Sequence, residues 1–356
     1  TNFRNAIISY IFVTSNFIIV TSQHKDNAGK NFISSPMSAH MVLSMLSLGA
    51  KGNTLDELNK GLYLYGTEFV KMEKLSLTEK VTVKAANKVY VKEGKIFELA
   101  PDYKKDIMEV FKSEVENIDF TKGTSAAAKI NAWVEDKTNK TIKNFIDASD
   151  LKSDTALVLV NTIYFKGEWK NKFNPNKTKK AEFGGDKTTV DMMHQLNYFN
   201  YEESTEFDMT MLIVLPNKFD DLAAIEEKMN GKNPSFSFYK SNLKKEVVNV
   251  FLPKFQIEST TNLAEVLPKL GMGSMFTDKA ELGGLLINPI PLKVSKAIHK
   301  AFIDVNEKGV TAGAASAVDN DIESLTIKQF NADHPFLFAF FKDGQKMFSG
   351  KFTNKE

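Results

Sequence analysis

The chain of 356 residues carries 46 Lys+Arg against 44 Asp+Glu, 28 Phe and no Cys. At 42% hydrophobic and 25% charged its composition is that of a globular protein, which excludes wholesale disorder. A net charge of +2 gives no long-range pull toward nucleic acid, and the lack of Cys excludes disulfides, thiolate nucleophiles, zinc-thiolate sites and iron–sulfur clusters.

In chain order, the most apolar stretch comes first, from Ala6 to Ser22, interrupted by Ser9, Thr14, Ser15, Asn16 and Thr21. A spanning helix needs about 20 mostly apolar residues, so this segment reads as a buried first helix, with a residual signal-like segment as the alternative, and no membrane partner is expected. No basic n-region or small-residue cleavage site marks a signal peptide, and a chain starting at Thr1 is read as having lost its leader. MVLSMLSLGAKG reads as a helix ended by Gly49 or Gly52 and recapped at Thr54. Helical patterns follow over Tyr103–Phe111 and Ala126–Lys137.

From Val81 strand-like runs accumulate: VTVKAANKVYV, TALVLVNTIYF, MTMLIVLP and VVNVFLPKFQIES. TALVLVNTIYF is nearly continuous and β-branched, as expected of a strand covered on both faces. HPFLFAFF is another buried strand, with Asp343-Gly344 as a hairpin turn into KMFSGKF. The fold class is α+β, with no composition break at which to divide it, so residues 1–356 read as one domain.

Catalytic patterns are poor. The five His (24, 40, 194, 299 and 334) form no HExxH, no GxSxG occurs, and none is paired at metal-ligand spacing. GMGSMF lacks the third Gly of a dinucleotide loop, and GLYLYGT lacks the Lys of a phosphate loop. The run Asp319-Asn320-Asp321 lacks the Gly of a calcium loop. No metal, no cofactor and no enzymatic activity are expected. His299, in an apolar strand context, reads as a satisfied core residue. Lys170, Lys172, Lys177, Lys179 and Lys180 read as a solvated face, with glycosaminoglycan binding the lesser alternative. Asn139-Lys140-Thr141 and Asn176-Lys177-Thr178 permit N-glycosylation at Asn139 and Asn176 in a secreted chain.

The informative segment is 309–329, GVTAGAASAVDNDIESLTIKQ, too long for an ordinary connection. Alternate residues Val310, Ala312, Ala314, Ser316, Val318, Asn320 and Ile322 form one face, small or apolar apart from Asn320. Thr311, Gly313, Ala315, Ala317, Asp319, Asp321 and Glu323 form the other, which holds every charge. Such a segment is a latent strand able to slide between existing strands. A plain flexible loop is the alternative.

The sequence also resembles the serpins, nearly end to end. The resemblance rests on NFISSPMSAHMVLSMLSLGAKGNTLDEL (31–58), INAWVEDKTNKTI (130–142), VNTIYFKGEWKNKF (160–173), VFLPKFQIES (250–259), VSKAIHKAFIDVNEKG (294–309) and NADHPFLFAFF (331–341), in the family's order. It implies a single domain with three β-sheets, about nine helices and an exposed reactive-centre loop. It implies suicide inhibition of an endopeptidase: the protease attacks the loop, forms an acyl-enzyme, and is trapped when residues 310–323 insert into the main sheet.

By position, Glu307, Lys308 and Gly309 match the start of the hinge, and Val310, Thr311, Ala312, Gly313, Ala314, Ala315 and Ser316 its small-residue run. Val310 departs from the family's usual Thr or Ser. The family's usual loop length, counted from Glu307, implies a scissile bond at Glu323-Ser324, with cuts near Leu325 and Thr326 as alternatives. Ser35, Ser38, Asn161 and His299 match the polar cluster that governs strand parting, and Trp169 the top of the sheet where insertion begins. Glu323 suits a serine protease that accepts acidic residues. Ile322 or Leu325 suits a papain-like cysteine protease, and Leu325 a chymotrypsin-like cut. The expected partner is a target endopeptidase held covalently by a secreted monomer, though an intracellular site is also compatible. A non-inhibitory carrier or structural protein on the same fold is the alternative.

Overall fold

The computed structural model describes residues 27, 29–62, 64, 81–167, 169–185, 188–199, 210–219, 221–230, 246–308, 327–342 and 345–354. The expected helix over 6–22, the segment 309–326 and the Asp343-Gly344 turn lie outside them. The first described elements are strand β1 (Phe32–Ser34), helix α1 (Pro36–Ser47) and helix α2 (Gly52–Leu62). Ser35 caps α1 by accepting the Ser38 N–H at 3.2 Å, and Pro36 occupies the first turn, where its missing N–H costs nothing.

The helix start expected at Thr54 needs correction. α1 runs to Ser47 and is followed by its cap Leu48 and by Gly49, as an end at Gly49 implies, but Thr54 lies inside α2 rather than capping it. The Thr54 hydroxyl instead accepts the Glu281 N–H at 3.0 Å. Gly49 serves packing, since a Cβ there would lie 2.2 Å from a Leu285 methyl.

Next come β2 (Val81–Lys92), α3 (Pro101–Phe111), β3 (Glu114–Ile118), α4 (Gly123–Lys137) and β4 (Leu157–Gly167). β5 (Lys179–Phe183), β6 (Thr188–Phe199), β7 (Thr210–Val214), α5 (Leu222–Asn230), β8 (Glu246–Pro253), β9 (Phe255–Asn262) and the short α6 (Leu263–Val266) follow. β10 (Lys296–Val305), β11 (Lys328–Asn331), β12 (Phe336–Lys342) and β13 (Gln345–Phe352) complete the order. The described residues thus hold six α-helices, against about nine implied by the resemblance. Among them no helix is long and apolar enough to cross a membrane.

The strands form three sheets: β3-β2-β4-β10-β9, β1-β13-β12-β7 and β11-β8-β6-β5. Phenylalanine fills the space between sheets. Phe165 lies 4.7 Å from Phe340 and Phe255 lies 4.8 Å from Phe352, ring centre to ring centre, in one cluster with Phe336, Phe338 and Phe348. Lys342 opposes Gln345, as a two-residue connection between β12 and β13 requires.

In the five-stranded sheet β2 runs antiparallel to β4 and parallel to the edge strand β3, β9 runs antiparallel to β10, and β4 and β10 pair directly in parallel at the centre. Their register runs from Lys296 opposite Val158 to Asp304 opposite Lys166. Leu157, Val158, Leu159, Val160 and Ile163 are fully buried, so β4 is covered on both faces, as its unbroken apolar run predicts. On one face α4 straddles this seam: its Ala126, Ala127, Ile130 and Val134 pack in one cluster with Val158 and Val160 of β4 and Ile298 of β10. Charge ties α4 to the sheet edge as well. Lys88 lies 2.7 Å from both Glu114 and Glu116, which also pair with Lys137 and Lys129 of α4.

Candidate functional site: the central seam and the base of the loop

Register brings four polar residues into one row across the sheet. Asn87 of β2 opposes Asn161 of β4, which opposes His299 of β10, which opposes Thr261 of β9. Asn161 and His299 are fully buried, as are Ser35 and Ser38 at the N-terminus of α1. Buried polar groups are costly unless paired, and Asn87, Asn161, His299, Ser35 and Ser38 are paired in a chain, whereas the buried Thr261 hydroxyl has no partner among the described residues. The Ser35 backbone N–H donates to His299 Nε2 at 3.1 Å, so Nε2 is an acceptor and Nδ1 carries the proton. Nδ1–H donates to Asn161 Oδ1, and the Asn161 amide donates to Ser38 Oγ at 2.6 Å, to Ser38 O at 2.9 Å and to Asn87 Oδ1. The Ser35 hydroxyl donates to Met347 O at 2.7 Å, tying the cluster to a second sheet.

This arrangement requires a neutral imidazole. Burial lowers the His299 pKa from 6.5 to about 3. The folded pKa is depressed, so the contribution to stability is complete above pH 6.5, where both states are neutral. It is lost as pH falls from about 6.5 toward about 3, because only the unfolded chain takes up the proton there. The urea midpoint of the native form is therefore expected to fall through this window with a component of about 1.4 kcal/mol per pH unit. A His299→Asn variant should lack that component, and an identical pH profile in the variant would exclude it.

The end of β10 leads into a second cluster. Trp169 Nε1 donates to Asn306 O at 2.8 Å, and the Lys308 N–H donates to Asn306 Oδ1 at 2.8 Å. Glu307 accepts the Thr178 hydroxyl at 2.8 Å and pairs with Lys254 at 3.2 Å. Burial alone would raise the Glu307 carboxyl. Hydrogen bonds from its own backbone N–H, Thr178 and Lys254, and the charge of Lys254, together hold it below the ordinary carboxylate range. The chain is thus pinned from two sides immediately before Gly309.

Gly309, Val310, Thr311, Ala312, Gly313, Ala314, Ala315, Ser316, Ile322, Glu323, Ser324, Leu325 and Thr326 all lie outside the described residues. Asn139 and Asn176 are both exposed, and Asn139 also accepts from Lys84 Nζ at 2.5 Å. Sequence reasoning missed Asn87, Thr261, Lys254 and Thr178. The available signal for Asn87 was an amide interrupting the strand run VTVKAANKVYV, which only register turns into a partner of Asn161.

A mixed sheet with a buried parallel seam, a neutral polar row beneath it and a pinned chain leaving its top defines the protease-inhibitor architecture implied by the sequence. The family model described as "Serpin (serine protease inhibitor)" matches residues 16–355, and the chain belongs to that family. It is 37% identical to antichymotrypsin-2 of Bombyx mori over 92% of this chain and 93% of that protein. Serpin48 of Tenebrio molitor superimposes with a TM-score of 0.82 at 34% identity, covering 96% of this chain and 97% of that one. Native protease nexin-1 with heparin superimposes with a TM-score of 0.84 at 29% identity, covering 99% of this chain and 100% of that one.

Proposed function

We propose that this protein is a suicide-substrate inhibitor of endopeptidases, a single domain whose loop 309–329 is cut near Glu323-Ser324. The observation that carries the reading is the direct parallel pairing of β4 with β10. The loop leaves the end of β10, so a segment folding back between the two strands runs antiparallel to both. One slanted parallel ladder then gives way to two antiparallel ladders, which are slightly stronger per residue. The small-residue face of 310–318 suits entry into a covered seam, and the pinned residues Trp169, Asn306 and Glu307 suit its starting point. Attack on the loop carbonyl by a protease nucleophile gives an acyl-enzyme and releases the new amine end; insertion then outpaces hydrolysis of the ester or thioester. The resting sheet is held kinetically, in this reading, by the Asn161–His299 row.

The specificity residues are Ile322, Glu323 and Leu325, which favour a serine protease accepting acidic residues or a papain-like cysteine protease. The likeness to an antichymotrypsin adds a chymotrypsin-like cut after Leu325. Exposed sequons at Asn139 and Asn176 suit a secreted, glycosylated monomer. The likeness to a heparin-bound relative supports glycosaminoglycan binding as a lesser reading of the lysines at 170–180.

Incubation with chymotrypsin, a glutamyl endopeptidase and papain tests the proposal. An SDS-stable band with at least one of them, and a large rise in melting temperature on loop cleavage, are expected. Cleavage by all three with neither band nor thermal gain would leave the carrier or structural reading in its place. Mass spectrometry of the released fragment fixes the cut bond.

A further inference from the structure

A second histidine, outside the central row, holds the junction between the other two sheets. His334 lies between β11 and β12 and is buried. Its Nδ1 is 2.7 Å from Asp333 Oδ1, and its Nε2 is 2.8 Å from the Pro216 carbonyl oxygen. Phe219 stacks on the ring with 4.6 Å between ring centres. Pro216 and Phe219 follow β7, in the sheet that contains β12. Asp333 faces the sheet of β11 and β5. Its Oδ2 accepts from the side-chain amide of Asn331, the last residue of β11, at 2.8 Å. Its carbonyl accepts the N–H of Gly184, just beyond β5, at 2.8 Å. β11 is an edge strand of 4 residues paired with β8, so few ladder bonds hold it and its end contacts matter.

Both ring nitrogens of His334 therefore face oxygens that only accept. A neutral imidazole has one N–H and would set its other nitrogen's lone pair against an oxygen lone pair. A proton on Asp333 instead would sit on the stronger acid of the two. The arrangement is complete only with an imidazolium, whose charge meets the Asp333 carboxylate and the face of the Phe219 ring. Among the described residues of the segments packed here, 182–185, 216–219, 249–253 and 328–334, the other charged groups are Glu182, Lys218 and Lys328, all exposed.

We propose that Asp333, His334 and Pro216 form a proton-held clasp that fixes β11 at the junction of the two sheets, closed while the imidazole carries both protons and opened when it loses one. Loss of that proton removes a charge-assisted hydrogen bond, and β11 frays from β8 at its Asn331 end. Attachment of β11 thereby becomes sensitive to pH in the range where histidines titrate. The clasp operates whether or not the chain inhibits a protease. Its contribution is present at low pH and lost as pH rises, the opposite direction to that of His299.

Histidine-selective 15N labelling of the full chain, with backbone amide exchange, tests the clasp. At about pH 5.5 the ring signal that is absent from a His334→Gln spectrum should show protons on both nitrogens. Protection of the β11 amides, corrected for intrinsic exchange, should fall about tenfold between about pH 5.5 and about pH 8. His334→Gln should show the low protection at both pH values. Asp333→Asn supplies an amide donor to the Nδ1 of a neutral ring, so its β11 should stay protected at both. A ring with one proton at the lower pH, or equal wild-type protection at the two, would overturn the clasp. Protection lost at both pH values in Asp333→Asn would also overturn it. The wild-type comparison decides the matter even where a variant fails to fold.

Discussion

Val310→Arg is expected to turn the protein from an inhibitor into a substrate. In the proposed mechanism Val310 is the first loop residue to enter between β4 and β10, and both faces of that seam are covered. A valine is β-branched and apolar, and suits a buried strand. An arginine there must shed its water without a partner, at a cost of several kcal/mol. Even about 1.4 kcal/mol added to the insertion barrier slows that step tenfold, and hydrolysis of the acyl-enzyme then wins. The covalent band should fall at least tenfold in yield, with the loop still cut at the same bond and the protease released active. Unchanged stoichiometry of inhibition would contradict insertion from this end.

Asn161→Ala should be the most damaging single change in the sheet. The side-chain amide joins His299, Ser38 and Asn87 in a space with no access to water. Truncation leaves the His299 Nδ1–H and the Asn87 carbonyl without this partner, each costing about 1–3 kcal/mol, and adds a small cavity. A loss of about 3–5 kcal/mol is expected, read as a lower urea midpoint for unfolding of the native form. The same change should speed spontaneous conversion to an inactive, heat-stable form, because the row bridges both strands of the seam. Asn161→Leu keeps most of the volume and removes only the polar links. If it costs less than about 1 kcal/mol, packing rather than hydrogen bonding holds the row.

The strands were legible because burial on both faces leaves an unbroken apolar run, as in Leu157–Ile163, and because HPFLFAFF cannot be solvated in any conformation. The second helix start was less so. Thr54 resembles an N-cap but lies inside α2, where its hydroxyl accepts the N–H of Glu281, a residue more than two hundred positions away. The polar row shows the same limit. Ser35, Ser38, Asn161 and His299 came from family resemblance, whereas Asn87 and Thr261 went unnoticed. A lone amide or hydroxyl in a strand has the same one-dimensional pattern whether it faces water or a histidine. Register decides between the two, and register is set by tertiary pairing. Lys254 and Thr178 escaped for the same reason: each is ordinary in sequence and becomes specific only opposite Glu307.

The protonated Nδ1 of His299 has a consequence for watching the resting protein. Its hydrogen sits in a fully buried bond to Asn161, between the two strands that the proposed insertion would part. In heavy water that hydrogen is replaced only when the strands part, so the imidazole signal is a built-in clock for spontaneous breathing of the sheet. The interval it keeps measures how often the β4–β10 seam opens, with no protease present.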